Sequence, residues 1–238
     1  MMIVAIVPAL DEEANIGDVV QGIARHVERV IVVDNGSTDA TARLARDAGA
    51  DVVVEPRRGY GRACLAGLAR ARAVGATTVL FLDADGSDDP DDAPLLLGPV
   101  LSGACDLALG RRDPARTEAG AMTPAQRFGN WFAPLLMRLT MGAPYRDMPP
   151  FKACTMAALE SLELADVGHG FTIELLVKAH LRDLAAIEVL VSCRARRAGE
   201  SKVSGTLRGS VRAGGKILST IARHGGAAWL DARRRPVA

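Results

Sequence analysis

The sequence predicts an α/β fold with a doubly wound, mostly parallel sheet flanked by helices. Short apolar runs of strand length recur through the first 110 residues, segments of helical character separate them, and a polar cluster closes each run. Continuous runs of this kind belong to strands buried on both faces, and regular alternation with helices implies right-handed β-α-β units.

The elements follow in order. IVAIV (3–7), VIVVD (30–34), DVVVE (51–55), TVLFLD (78–83) and DLALG (106–110) are rich in β-branched residues and leucine and read as strands. Helices are expected at 15–26, 38–48, 61–74 and 91–102. Gly49 and Gly75 stand where helix C-caps belong, Gly103 follows the fourth helix, and Thr38 has the chemistry of an N-cap before Asp39. Beyond residue 113 the pattern loosens. Helices are expected near 125–141, 155–162 and 171–182, a strand near 186–192, and a last helix near 206–223. The organisation read from this is a catalytic domain over 1–205 and a basic, amphipathic C-terminal helix and tail over 206–238.

Composition narrows the function classes. The chain has 238 residues with 49% hydrophobic content, enough for one sizeable core. Its net charge of +1 gives no whole-molecule field for nucleic acid. The charge is unevenly placed: residues 1–193 carry 18 basic and 26 acidic groups (−8), and 194–238 carry 11 and 2 (+9). A basic tail after an acidic body points to anions, whether phosphates, lipid headgroups or the body itself. The four cysteines are far apart, with no CxxC pair, which reads as buried, reduced thiols and a cytoplasmic location. The N-terminus has no basic leader, and no stretch reaches the roughly 18 apolar residues of a membrane span. A peripheral seat on the inner face of the membrane stays open.

Chemistry concentrates at the predicted strand ends. In an open α/β sheet ligands bind beyond the carboxyl ends of the strands. There the chain places PALDEE, DNGSTD, EPRRGYGRA, DADGSDD and GRRD. Mixed carboxylates, arginines and glycines along one edge describe a site for a polyanion and a metal. In VLFLDADGSDDP, Asp83 and Asp85 leave an extended backbone on one side with Ala84 opposite, a pair of oxygen ligands suited to a hard divalent cation. An acidic turn would carry the same residues. Neither GxGxxG after the first strand nor a GxxxxGK[ST] loop occurs, so two common nucleotide folds are excluded.

These motifs together resemble the family 2 glycosyltransferases, in particular the dolichyl-phosphate mannosyltransferase and polyprenyl-phosphate glycosyltransferase group. PALDEEANI, VDNGSTDAT, RRGYGRA, LDADGSDDP, GRRD, DMPPFKA, GFTIELLVKA and RRAGESKVSG match its segments in order, over nearly the whole chain. Leu10 and Asn35 depart from the group's usual aromatic and aspartate.

The resemblance implies an A-type glycosyltransferase fold that binds a nucleotide sugar. The implied reaction is inverting transfer of a hexose from a GDP-mannose or UDP-glucose type donor to polyprenyl phosphate. Pro8, Leu10 and Glu12, with Asp34, Asn35 and Ala84, would hold the nucleotide sugar. Asp83 and Asp85 would hold Mg²⁺ or Mn²⁺ on the diphosphate. Arg112 or its neighbour Arg111, with Arg196 and Lys202, would be the cationic partners of the phosphates. Gly199 would let the last loop close as a lid. Arg127 would offset the charge of a phosphate acceptor. A small soluble hydroxyl acceptor would instead need a base, for which Asp147 and Glu174 are the choices. Glu174 also reads as half of a surface pair with Lys178, and both Glu12 and Asp34 as helix caps. From a different class, DADGS resembles the nucleophile motif of haloacid-dehalogenase-like phosphatases. A non-catalytic nucleotide-sugar binder is the third reading.

Overall fold

In a computed structural model, which describes residues 1–196 together with Gly215 and Ser219, the chain forms a seven-stranded sheet covered by helices on both faces. The strands are β1 (Ile3–Ala9), β2 (Arg29–Asp34), β3 (Asp51–Val54), β4 (Thr78–Phe81), β5 (Leu107–Thr117), β6 (Lys152–Thr155) and β7 (Ala186–Cys193). The helices are α1 (Ile16–Ile23), α2 (Thr41–Asp47), α3 (Tyr60–Ala73), α4 (Ala93–Leu101), α5 (Pro124–Met141), α6 (Met156–Leu162) and α7 (Phe171–Leu181). The spatial order is β3-β2-β1-β4-β6-β5-β7. β3, β2, β1 and β4 run parallel, β6 is antiparallel to both neighbours, and β5 is parallel to β7.

Alternation along β1 explains the two cores. Val4 and Ile6 join Ile31, Val33, Val79 and Phe81 beneath α3, α5, α6 and α7. Ala5 and Val7 join Val30, Val32 and Leu80 beneath α1, α2 and α4. A strand buried on both faces has no polar side, which is why these runs are continuously apolar. The four cysteines are buried and unpaired.

No element was expected over β6, which is four residues long and begins with lysine, yet it pairs in register with β4, Lys152 opposite Phe81. Two expectations need correction. GRRD does not follow β5 but lies inside it, because Arg111 and Arg112 stay paired with Leu190 and Val191 of β7. Thr38 does not cap α2. Its N–H and hydroxyl donate to Asp11 Oδ1, while the Asp39 carboxylate accepts from the Thr41 N–H at 2.9 Å. The last helix and tail, with Lys202 and Gly199, fall outside the described residues, as does the proposed division at 205/206.

Candidate active site

The strand order reverses between β1 and β4, since β2 and β3 lie to one side of β1 and β4 to the other. That switch point opens a crevice at the carboxyl edge. The loop after β1 carries Glu12, the loop after β4 carries Asp83, Asp85 and Asp88, and a single guanidinium spans the gap. Arg196 Nη1 lies 2.6 Å from Glu12 Oε1 and Nη2 lies 2.9 Å from Asp85 Oδ2. The segment bearing Arg196 is fastened beforehand. The Arg194 N–H donates to the Ser87 carbonyl at 2.8 Å, the Arg194 side chain pairs with Asp89, and the Ala195 N–H donates to Glu118 Oε2 at 2.7 Å.

Glu12 is buried, and its carbonyl rather than its carboxylate closes the first turn before α1, accepting from the Asn15 and Ile16 N–H groups. Its carboxylate therefore faces the crevice, held by Asn15 Nδ2 at 2.9 Å. Asp34 does act as a turn residue, accepting the Ser37 N–H at 3.1 Å. Asn35 ties the β2 loop to the β3 loop. Both its amide donors go to the Glu55 and Arg57 carbonyls, and its oxygen accepts from the Gly59 N–H at 2.7 Å. Pro8 and Leu10 are half-buried beside these loops.

The acidic motif differs from a simple extended pair. β4 ends at Phe81 and the chain turns at Ala84–Asp85, with Ala84 in the core. The turn, not strand alternation, brings the carboxylates together. Asp88 Oδ2 accepts from the Asp83 N–H at 3.0 Å, and Asp85 Oδ1 from the Ser87 N–H at 3.0 Å. Burial, then the charges of Asp85 and Asp88, push the Asp83 carboxyl well above its usual range. Burial likewise pushes Asp88 up to about 6, with Asp85 adding to the shift. Carboxylates gathered in one turn raise one another's proton affinity, and Arg196, Arg112 and Lys152 oppose that rise. Among the described residues no group of three or more His, Cys, Asp or Glu side chains is arranged to hold a metal ion.

Two cations lie beneath and beside this cluster. Arg112 is fixed by Asp147, whose Oδ2 accepts the Arg112 N–H at 3.0 Å and whose Oδ1 accepts Nη1 at 2.9 Å. Asp147 Oδ1 also takes the Met148 N–H at 2.8 Å, so both oxygens are engaged. Lys152 is fully buried, its Nζ bonded to the Pro149 and Pro150 carbonyls at 3.3 and 3.0 Å and lying 5.3 Å from the Phe81 ring centre. Burial pulls its ammonium below the usual range, while Asp83 and Asp88 pull it back up.

Sequence reasoning missed Asp88 and Lys152 as members of this constellation. Asp88 sits in the quoted acidic turn and Lys152 in DMPPFKA, but only the pairing of β6 with β4 brings the lysine under the carboxylates. Two other expected residues lie apart from the crevice contacts. Glu174 is buried, not a surface residue, and clamps the 163–168 loop. It pairs with Lys178 at 2.8 Å and accepts the Ala165 and Asp166 N–H groups at 3.0 and 2.7 Å. Arg127 is exposed on the first turn of α5 with no ion-pair partner among the described residues. Gly59 and Gly61 have a packing cause: a Cβ on Gly61 would stand 2.0 Å from the Asp166 carbonyl oxygen.

Comparison with known proteins agrees with this geometry. Residues 4–162 match the family model for glycosyl transferase family 2. An uncharacterized glycosyltransferase of Mycobacterium tuberculosis is 40% identical over 212 residues, 88% of this chain and 93% of the relative. The polyprenol monophosphomannose synthase of Mycolicibacterium smegmatis is 30% identical over 227 residues, 84% of this chain and 80% of the relative. Among solved structures, glucosyl-3-phosphoglycerate synthase from Mycobacterium tuberculosis, in complex with Mn²⁺, UDP-glucose and phosphoglyceric acid, superposes with a TM-score of 0.75 at 27% identity, covering 94% of this chain and 80% of that one. The expected A-type glycosyltransferase fold is present, which sets aside the phosphatase and non-catalytic readings. The chain belongs to glycosyl transferase family 2, and the protein is a glycosyltransferase.

Proposed function

We propose that the enzyme transfers a hexose, with inversion, from a nucleotide diphosphate sugar to a polyprenyl phosphate. The observation that carries the acceptor class is the state of the two residues that could deprotonate a hydroxyl. Both oxygens of Asp147 are engaged by Arg112 and Met148. Burial raises the Glu174 carboxyl, but the Lys178 bond and the Asp166 and Ala165 N–H groups outweigh it and leave it below the ordinary range. A weakened or committed carboxylate is a poor general base, whereas a phosphate acceptor is already anionic and needs none. The relative named polyprenol monophosphomannose synthase concerns a phosphate nucleophile, whereas the glucosyl-3-phosphoglycerate synthase neighbour glycosylates a hydroxyl of a phosphate-bearing acceptor and stands for the alternative reading.

On the donor side, Glu12, Asp34 and Asn35, with Pro8 at the end of β1 and Leu10 just past it, would line the nucleoside end of the crevice, and Asp83 and Asp85 its diphosphate end. A bound Mg²⁺ or Mn²⁺ would neutralise charge on the departing nucleoside diphosphate. Arg112, held rigid by Asp147, adds a fixed positive charge that costs no reorganisation as the leaving group separates. Arg196 is poised to exchange its carboxylate partners for phosphate oxygens. Arg127 would meet the acceptor phosphate. The reading makes binding metal-dependent. UDP or GDP with Mn²⁺ should raise the melting temperature through mass action, neither nucleotide should do so in EDTA, and Asp85→Ala should lose the effect without losing the fold. Equal stabilisation of Asp85→Ala would refute the assignment.

A further inference from the structure

Helix α5 carries two apolar sides. Ala133, Pro134 and Met137 are buried against the sheet. On the opposite side Phe128 and Trp131 are each 59% exposed and Leu139 is 74% exposed. With the half-buried Phe132 and Leu135, these residues recur at the three- and four-residue spacing of one helix face. The rings are ordered against one another: Phe128 and Phe132 stack with centroids 5.4 Å apart, and Trp131 lies 6.0 Å from Phe128. Arg127 and Arg138, three turns apart, follow one flank of the stripe, and no acidic residue occurs between 124 and 141.

We propose that this stripe is a docking surface for anionic membrane, seating α5 along the headgroup boundary. An aromatic-rich face edged by arginine is the composition of helices that lie in that boundary, where rings span the apolar-to-wet transition and guanidinium groups meet lipid phosphates. A second copy of the chain fits less well, because a two-fold contact would bring arginine-edged stripes together without a carboxylate between them. The position also suits the chemistry. β5 runs parallel to β4 through the antiparallel β6, so α5 begins on the edge of the sheet where the carboxylates gather, with Arg127 in its first turn. The proposal rests on the polyprenyl-phosphate reading for why the enzyme would visit a membrane, but the surface is tested without any acceptor.

The test is co-sedimentation of the full chain with vesicles of phosphatidylglycerol and phosphatidylcholine in equal parts, and with phosphatidylcholine alone. The wild type should bind the anionic vesicles and weaken with salt. Phe128→Ser with Trp131→Ser should reduce binding by about tenfold or more while leaving melting temperature and Mn²⁺–nucleotide binding unchanged. Leu139→Ser, at the far end of the stripe, should reduce it less. The proposal is overturned if the wild type does not bind, if the double variant binds as well as the wild type, or if light scattering shows a dimer that the double variant dissociates. Transfer to a soluble acceptor by an enzyme that still binds vesicles through the stripe would remove the acceptor reading and leave the surface standing.

Discussion

Asp88 illustrates how one buried carboxyl group can set the pH dependence of stability. Its pKa is raised from 3.8 to about 6, so the folded protein holds more protons there than the unfolded chain across that interval. Stability from this site is therefore greatest at acid pH and declines as pH rises from about 4 through about 6, by an amount on the order of a few kcal/mol. Asp88→Asn should abolish that decline, since an amide keeps an oxygen for the Asp83 N–H but carries no charge. Urea denaturation of both proteins between pH 4 and 7, without metal or nucleotide, checks this; parallel curves would show that Asp88 is not the group responsible. Asp147 acts differently. Asp147→Asn should loosen Arg112 and lower kcat more than it raises the donor KM, because the arginine's charge matters most as the diphosphate leaves. A general-base role would instead make the loss depend on the acceptor, large with alcohols and absent with phosphates.

At the scale of elements, the 163–168 loop and the start of α3 form one unit. Gly61 and Arg62 donate their N–H groups to the Gly168 and Val167 carbonyls at 3.0 and 3.2 Å, and Glu174 holds the loop from the α7 side. Glu174→Gln breaks a buried ion pair and one acceptor's worth of charge, and should lower stability by about 1–3 kcal/mol with little change in kcat of the folded enzyme. Matched melting temperatures with a collapsed kcat would return Glu174 to catalysis.

The same unit shows where sequence reading succeeds and stops. β1, β2 and β4 were legible because each is a buried apolar run, β3 and β7 because their β-branched residues and leucine persist even on the half-exposed sheet edges, and α3 and α5–α7 fall within two residues of their expected bounds. β6 was not, since Lys152 in a four-residue strand looks like a loop until Phe81 is placed opposite it. The DADGS motif was visible as a pair, but Asp88 joins it only because the chain turns at Ala84–Asp85. The glycines of RRGYGRA suggested ligand contact; the Asp166 and Val167 carbonyls supply their physical reason.

For the whole molecule, fold and site combine into a polarised shape of function. The proposed donor crevice lies at the β1/β4 switch point, and α5 leaves the same edge with its aromatic stripe exposed. No helix among the described residues is long and apolar enough to cross a membrane. The proposed reading assigns the crevice carboxylates to the donor's nucleotide and phosphates and none to the sugar as a nucleophile, so it predicts a single displacement: an α-linked donor should give a β-linked product. The most direct measurement offers radiolabelled GDP-mannose and UDP-glucose, with Mn²⁺, to short-chain polyprenyl phosphate and in parallel to phosphoglyceric acid and simple alcohols, followed by NMR of the product's anomeric centre. The account predicts label on the polyprenyl phosphate alone, in the β configuration. Label confined to a soluble acceptor, or a retained α configuration, would contradict it.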